Sequence, residues 1–285
     1  MNARLEVDGR EVCVDLTCPF DLSVELDFQG AQPRHFGAPR AGSQPFSVPG
    51  FPGSVVHGAS CNCESITLIP HCNGTHTECA GHLTREPLHA HRNVPRGLVP
   101  ALLLSAKPVS SGQTRDSSDP APHPDDLLVT RSALDEGWPA VLPFVPSALV
   151  IRSLPNEIAK RTRDYTETTP PYLTREAARY LVERGIEHLV VDLPSIDRAH
   201  DEGRLTAHRI FFGLPPGESA LAAATRSQCT VTELAYVADE AADGPYLLQL
   251  QVPAVNGDAV PSRPLLFRLD ASPAAPVSTQ AAART

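Results

Sequence analysis

The chain has 285 residues, a formal net charge of −9 at pH 7 and a hydrophobic fraction of 41%. This length allows one large domain or two ordinary ones, with a substantial buried core. The acidic balance argues against a nucleic-acid partner and against an anionic membrane surface, because both are bound through basic patches.

The N-terminal stretch MNARLEVDGREVCVDL predicts a cytoplasmic protein, because it is charged within its first ten residues and lacks the apolar region of a secretory signal. No apolar run approaches the ~20 residues that span a bilayer, so we expect no membrane association. Seven cysteines cannot all pair within one chain, and reduced thiols are expected. The 29 prolines favour strands joined by constrained loops, since proline is excluded from helix interiors.

Apolar and β-branched segments predict strands in the first half of the chain. EVCVDLT (11–17) alternates, SITLIP (65–70) is short, and LVPALLLSA (98–106) is continuously apolar, which is typical of a buried strand. Residues 29–53 are rich in proline, glycine and aromatic residues, and predict a long ordered loop or an arm that packs on another subunit. Residues 109–124 are polar and proline-rich, and predict a mobile surface insertion.

The second half of the chain predicts a strand, a helix and a strand in succession. SALVIRS (147–153) and HLVVDL (188–193) are apolar, and the helical pattern between them has Thr174 as its N-cap and Gly185 as its end. Because a helix connects the two strands, they are expected to be parallel.

Alternating segments near the C-terminus, 246–255 and 263–270, predict an antiparallel pair with one solvated face. The tail 272–285 lacks large apolar residues apart from Val277 and is expected to be disordered. The whole pattern predicts a mixed α/β fold with a single domain over 1–271.

The stretch PHCNGTHTECAGHL (70–83) concentrates residues that bind metals. His76 and Glu78 are two residues apart, so in an extended segment their side chains point to the same side. His82 returns to that point if the chain bends at Ala80 and Gly81. Imidazole and carboxylate together suit Zn²⁺ or Mn²⁺, and open sites of this kind activate a water molecule.

Three other interpretations of this stretch remain open. The histidines could be hydrogen-bonded members of a polar loop. The cysteines could form a structural zinc site, although their spacing lacks paired C-x2-C knuckles. A cysteine nucleophile, Cys72 or Cys79, could pair with His82 or His71. The cysteines of the second interpretation are Cys61, Cys63, Cys72 and Cys79.

The segment GTHTECAGH resembles the signature H-x-G-T-H-x-D-x-P-x-H of the cyclase-like metal-dependent hydrolase family, which includes bacterial kynurenine formamidase and isatin hydrolase. Further segments resemble the family in the same order, from about Glu11 to Asp270. The resemblance implies a mixed β-sheet or barrel-like core with flanking helices, of the swivelling β/β/α type. It also implies metal-dependent hydrolysis of a C–N bond in a small amide, formamide or lactam. The further segments are DLT (15–17), LVIRS (149–153), the run from Pro171 to Asp197, TAHRIFFG (206–213) and VTELAYV (231–237).

The resemblance also assigns roles to individual residues. It makes His76 and Glu78 metal ligands and His82 the general acid/base. His208 and Glu233 match the downstream residues that complete a second metal site. One or two divalent ions are therefore expected, with zinc preferred and manganese possible. The resemblance further implies a homodimer or homotetramer whose N-terminal segment contributes to a neighbouring site.

The sequence departs from the family signature at its first ligand. The family histidine falls on Cys72, with His71 displaced by one residue, so either of the two could bind or the ligand could be lost. Glu78 replaces an aspartate, and Ala80 replaces a proline. A metal-binding protein without turnover therefore stays open as an alternative to a hydrolase. The substrate-binding residues are not identified by the sequence.

Two other groups have alternative interpretations. Asp192, Ser195 and Asp197 in DLPSID form either a turn network or part of the catalytic machinery. Arg152 at the end of a predicted strand binds either a substrate carboxylate or an internal acidic partner.

Overall fold

A computed structural model describes residues 1–269, so the tail 272–285 predicted to be disordered lies outside the described residues. The helices of the described part are short, and none is long and apolar enough to cross a membrane. They are α1 (Ala90–Asn93), α2 (Arg131–Gly137), α3 (Arg175–Glu183) and α4 (Thr206–Phe212).

Strands are more numerous than α-helices in the described part of the chain, in agreement with the high proline content. They are β1 (Asn2–Val7), β2 (Arg10–Asp15), β3 (Phe20–Asp21), β4 (Gly42–Pro45), β5 (Glu64–Thr67), β6 (His76–Cys79), β7 (Val99–Ala106), β8 (Val109–Ser110), β9 (Leu127–Val129), β10 (Ala148–Ser153), β11 (Tyr172–Leu173), β12 (His188–Val191), β13 (Thr230–Glu233), β14 (Gly244–Gln251), β15 (Ala259–Pro261) and β16 (Arg263–Arg268).

Nine of these strands form the central sheet of residues 1–269, in the order β15-β6-β13-β12-β10-β7-β14-β16-β3. The four strands β13, β12, β10 and β7 are parallel to one another. Antiparallel strands extend the sheet on both sides of this parallel centre. The sheet curls into a half-barrel with few helices, which confirms the predicted mixed α/β single domain with a barrel-like core.

The predicted strand–helix–strand unit is confirmed, and β10 and β12 pair in parallel. Thr174 is the N-cap of α3, and its side-chain oxygen accepts a hydrogen bond of 3.0 Å from the backbone N–H of Ala177. Gly185 follows the helix with a φ of 75°, a left-handed conformation that glycine adopts without steric cost. The apolar face of α3 packs on the sheet through the buried residues Ala177, Ala178 and Leu181.

The expectation of a solvated face on the C-terminal strand pair is wrong. β14 and β16 do pair antiparallel, but both of their faces are buried. On one face, Leu247 and Phe267 pack with Val14 of β2 and with Phe144, while Leu248 and Leu266 belong to a separate cluster on the other face. The sequence pattern could not reveal this, because the residues that cover the second face come from distant parts of the chain.

The two segments predicted as loops differ in their contacts. Residues 29–53 are largely irregular, and β4 within them pairs with β5 to form a two-stranded arm whose residue Ile66 is 58% exposed. The predicted insertion 109–124 contacts α3, since the backbone N–H and the hydroxyl of Ser117 donate to the two carboxylate oxygens of Glu176 at 2.7 and 2.8 Å. Its mobility stays a prediction.

Arg152 is an internal structural residue. Its Nη2 lies 2.8 Å from Asp243 Oδ1, and its Nη1 donates to the backbone carbonyls of Ala238 and Ala241. Asp192 is also an internal structural residue, because its carboxylate accepts hydrogen bonds from the backbone N–H of Ser153 and from Nζ of Lys160. Neither side chain is available to a substrate.

The buried His188 of β12 is expected to lower the stability of the folded protein as the pH falls. Its Nδ1 lies 2.9 Å from Thr230 Oγ1, and burial lowers its pKa to about 4. An unfolded histidine titrates near pH ~6.5, so between about pH 6.5 and 4 the unfolded chain binds more protons than the folded one. The stability due to the neutral imidazole is complete above that window and is lost as the pH falls through it.

We therefore expect the free energy of unfolding of the metal-free protein to fall by about 2–3 kcal/mol more between pH 7 and pH 4 than that of His188→Gln. Urea unfolding of both proteins in the presence of a chelator measures this difference. Identical pH dependence of the two proteins would contradict it.

Candidate metal centre

The candidate site lies on β6, near one edge of the central sheet. β6 pairs antiparallel with β13, and this register places His76 opposite Glu233. Side chains directly opposite each other in a ladder share one face of the sheet. Glu78 is two residues beyond His76 on the same strand and therefore points to that face as well. All three residues are buried: the exposed fractions of His76, Glu78 and Glu233 are 0%, 1% and 3%.

His71 reaches this face from the short 3-10 turn Pro70–Cys72 that precedes β6. Its Nδ1 lies 2.9 Å from Glu78 Oε2, and its Nε2 lies 2.9 Å from Asp258 Oδ2. The neighbouring Cys72 lines a cavity beside these residues. However, no cysteine of residues 1–269 belongs to a group of three or more metal-binding donors. Of the two candidates for the first ligand, His71 therefore lies within such a group among the described residues and Cys72 does not.

His208 reaches the cluster from α4. Its Nε2 lies 2.7 Å from Glu78 Oε1 and 3.4 Å from Glu233 Oε1. The fifth member, His76, has its Nε2 3.5 Å from Glu233 Oε2. The residues that the resemblance paired across more than 120 positions of sequence therefore meet at one point.

Each of the three imidazoles is held by an oxygen acceptor on its outer nitrogen. His76 Nδ1 lies 2.9 Å from the backbone carbonyl of Gly74, and His208 Nδ1 lies 2.7 Å from Asp197 Oδ2. His71 Nε2 faces Asp258 in the same way. When the outer nitrogen carries the proton, the inner nitrogen presents a lone pair to the carboxylates. Histidines that bind metals are oriented by such acceptors.

Three groups of possible ligands can be defined among the described residues, with donor atoms within 4.8 Å of one another. Glu78 belongs to two of them and directs one oxygen toward each. The groups are His71, His76 and Glu78; Glu78, His208 and Glu233; and His71, His82 and Asp258.

The buried polar atoms of the cluster fit a divalent metal. His76 Nε2, His208 Nε2 and both carboxylate oxygens of Glu78 have no hydrogen-bond partner in the described structure. Buried polar atoms are rarely left in this state, because removing them from water costs free energy that a partner must offset. A cation among two imidazole nitrogens and a carboxylate would satisfy all four atoms, and this donor set suits Zn²⁺ and Mn²⁺.

The electrostatics favour positive charge at the same point. Burial would raise the pKa of Glu78, but the charges of His82 and His208 hold it well below its usual value. Burial would likewise lower the pKa of His208, whereas Glu78 and Asp197 raise it. Burial would lower the pKa of His71 as well, but the adjacent carboxylates of Asp258 and Glu78 raise it to about 10. A metal would therefore bind in competition with protons on these imidazoles.

A cavity of about 830 Å³ opens beside the cluster. His82 stands at its wall, with its ring centroid 4.3 Å from that of His71 and 5.6 Å from that of His208. Apolar side chains form much of the remaining wall, namely Phe36, Ile69, Pro194, Ala199 and Leu205. A small organic molecule in this cavity would contact both His82 and the ligand cluster.

Sequence reasoning missed Asp258 and left the role of Asp197 open. Asp197 accepts hydrogen bonds from the backbone N–H groups of Ala207 and His208, so it fixes the start of α4 as well as the imidazole. The place of Asp197 in the segment DLPSID could have identified it from the sequence. Asp258 lies in a loop before β15, where a single aspartate is typical of any turn.

A family model described as "Putative cyclase" matches residues 14–198. Solved structures share the fold over most of the chain.

A "predicted metal-dependent hydrolase" from Bacillus stearothermophilus is 15% identical, with a TM-score of 0.54 over 88% of this chain and 98% of that one. Isatin hydrolase A from Labrenzia aggregata, bound to benzyl benzoate, is 18% identical, with a TM-score of 0.55 over 88% and 93%. An isatin hydrolase bound to the product analogue thioisatinate is 16% identical, with a TM-score of 0.56 over 88% and 92%. A comparison with curated proteins finds no match.

Metal binding predicts a specific pattern of thermal stabilisation. A ligand that binds only the folded state stabilises it by about 2.7 kcal/mol at a free concentration of 100 times Kd. We expect zinc to raise the Tm of the chelator-treated wild type and to be retained on gel filtration. His76→Ala and Glu78→Gln should lose most of both effects.

His57→Ala is the matched control, because His57 is exposed and belongs to none of the groups of possible ligands among the described residues. Differential scanning fluorimetry gives the Tm shift, and elemental analysis gives the zinc content. Equal zinc content in wild type, His76→Ala and Glu78→Gln would contradict the assignment.

Proposed function

The chain belongs to the cyclase family, and from this premise we propose that it is a metal-dependent hydrolase that cleaves the C–N bond of a small amide, formamide or lactam. One observation carries the proposal: a buried cluster of imidazoles and carboxylates with unpartnered donor atoms opens directly into a cavity. The metal-dependent hydrolases and isatin hydrolases that share the fold support the same reaction class.

His71, His76 and Glu78 would hold one divalent ion, and Glu233 and His208 would hold a second together with Glu78. Zinc is the preferred ion because nitrogen and carboxylate donors suit it, and manganese is the other candidate. Glu78 can serve both ions, since its two oxygens face His71 and His208 respectively. When bound, the metal polarises a carbonyl and lowers the pKa of water toward neutrality.

His82 is the proposed proton-transfer group. Its Nδ1 lies 3.5 Å from Asp258 Oδ2, and no hydrogen bond among the described residues occupies its Nε2. His82 takes a proton from the attacking water at Nε2 and returns it to the leaving nitrogen. The water oxygen first adds to the carbonyl carbon, the C–N bond then breaks as the leaving nitrogen takes the proton, and the products are a carboxylate and an amine.

Part of the cavity wall beside this chemistry is apolar. Phe36 and Leu205 are apolar, and the neighbouring His35 is buried, with an exposed fraction of 4%. Burial lowers the pKa of His35, so its imidazole is neutral at pH 7. These residues favour an uncharged organic substrate over a polyanion.

A cysteine-dependent hydrolase is the less favoured alternative. Burial raises the pKa of Cys72, and the nearby charge of Glu233 raises it further. Burial also raises the pKa of Cys79 to about 12. Both thiols are therefore protonated at pH 7, whereas a nucleophilic cysteine requires the thiolate. A metal-binding protein of the same fold without turnover is the other alternative.

We further propose that the protein is a cytoplasmic homodimer or homotetramer. Exposed apolar residues in β5 and in the segment between β4 and β5 support assembly, because exposed apolar surface favours protein contacts. They are Ile66 of β5 and Phe46 and Val56 of the connecting segment. Sedimentation equilibrium measures the mass in solution, and a purely monomeric protein would overturn this proposal.

The proposed mechanism separates metal binding from proton transfer. His82→Ala should lower kcat by about 10²- to 10⁴-fold, which is the usual contribution of a general acid/base, while its zinc content equals that of the wild type. A chelator should abolish the wild-type activity, and added Zn²⁺ or Mn²⁺ should restore it.

Hydrolysis of formanilide, acetanilide and a small lactam gives the rates, with His57→Ala as the control. Wild-type turnover by His82→Ala would refute the assigned role. Activity that survives the chelator and stops on thiol alkylation would instead indicate the cysteine mechanism. Zinc binding without hydrolysis of any amide would indicate the inactive protein.

A further inference from the structure

We propose that Asp258 is a positioning residue with two tasks: it orients His71 for metal binding and His82 for proton transfer. The inference rests on the proposed function for its second task, whereas the first concerns metal binding alone. One carboxylate oxygen carries both contacts, since Oδ2 lies 2.9 Å from His71 Nε2 and 3.5 Å from His82 Nδ1.

The sheet register brings Asp258 to this place from a distant part of the chain. β15 pairs with β6 so that Ala259 is opposite Glu78. Asp258 directly precedes β15, and its carbonyl accepts a hydrogen bond of 3.0 Å from the backbone N–H of Cys79. Its backbone is therefore fixed beside the strand that carries the ligands.

Gly81 allows the turn that carries His82 to come close to Asp258. A Cβ atom at position 81 would lie 2.4 Å from the carbonyl oxygen of Leu88 and 3.2 Å from Asp258 Cβ. The first distance is too short for any side chain without movement of the backbone. The glycine thus permits the close packing that places His82 and Asp258 side by side.

At His71, the carboxylate decides which nitrogen is available to a metal. In the neutral imidazole that a metal requires, a hydrogen bond from His71 Nε2–H to Asp258 would leave the lone pair on Nδ1, the nitrogen that lies 2.9 Å from Glu78 Oε2. Asp197 acts on His208 in the same geometrical way, through a contact of 2.7 Å. Loss of such an outer partner typically weakens metal affinity about 10- to 100-fold.

At His82, which lines the cavity, the same carboxylate faces Nδ1 and leaves Nε2 without a hydrogen bond among the described residues. An imidazole that accepts a proton at Nε2 becomes positively charged, and an adjacent carboxylate stabilises that charge. Within residues 1–269, the Asp258 side chain makes its polar contacts to other residues only with these two rings. This arrangement favours a role at the site over one in general packing.

The first test measures zinc affinity by competition with a chromophoric chelator. Asp258→Asn keeps the shape of the side chain and removes its charge, and should weaken zinc binding about 10- to 100-fold. Asp258→Glu should recover part of the affinity. In a His71→Ala background, Asp258→Asn should cause little further loss, because the effect acts through His71.

The exposed Asp125 provides the control, and Asp125→Asn should bind zinc like the wild type. The inference is overturned if Asp258→Asn binds zinc with wild-type affinity. It is also overturned if the loss has the same size with and without His71.

The second test measures amide hydrolysis at saturating zinc, where the effect on affinity no longer matters. Asp258→Asn should lower kcat about 10- to 100-fold, with KM nearly unchanged, and should cause no further loss in a His82→Ala background. An unchanged kcat, or equal losses with and without His82, would overturn the second task.

The two tests also separate this inference from the proposed function. A wild type that binds zinc and hydrolyses none of the amides would overturn the proposed function and the task at His82. Weaker zinc binding by Asp258→Asn would still support the task at His71.

Discussion

Two buried carboxylates, Glu78 and Glu233, impose the main constraint on this structure. An ion removed from water without a partner costs several kcal/mol even after the protein relaxes, so both acids require positive charge nearby. Three imidazoles from three separate elements meet this requirement. The 3-10 turn before β6 contributes His71, β6 itself contributes His76, and α4 contributes His208. The antiparallel edge of the sheet and the placement of α4 both serve this contact.

Protons and a metal compete for the same inner nitrogens. Acceptors outside the cluster, including the Gly74 carbonyl and Asp197, fix the outer nitrogen of each ring and thereby direct the other toward the carboxylates. This arrangement is costly for an empty, neutral site and favourable for a bound cation. A substrate in the adjoining cavity would lie within reach of His82. The same electrostatic design therefore explains both the stability of the acids and the proposed chemistry.

Local sequence patterns predicted the parts of the site that local geometry controls. The alternation of His76 and Glu78 requires only an extended strand, and the helix after Thr174 requires only its cap and its apolar period. His208 and Glu233 could be assigned only through the order of the family motifs, because nothing in their immediate neighbours marks them. Asp258 was missed because its register against β6 is set by contacts almost two hundred residues apart. The covered face of β14 and β16 was missed for the same reason, since strand alternation does not report what packs on top.

The motif leaves His71 and Cys72 as alternatives for the first ligand, and we propose His71 because it lies within a group of possible ligands among the described residues and Cys72 does not. The most direct measurement of this account is a crystal structure of the zinc-loaded protein with anomalous scattering at the zinc edge. We expect a peak bonded at about 2.0–2.1 Å to His71 Nδ1 and His76 Nε2, with Glu78 as a further ligand. A peak bonded to Cys72 Sγ in place of His71, or no peak at this cluster, would contradict it.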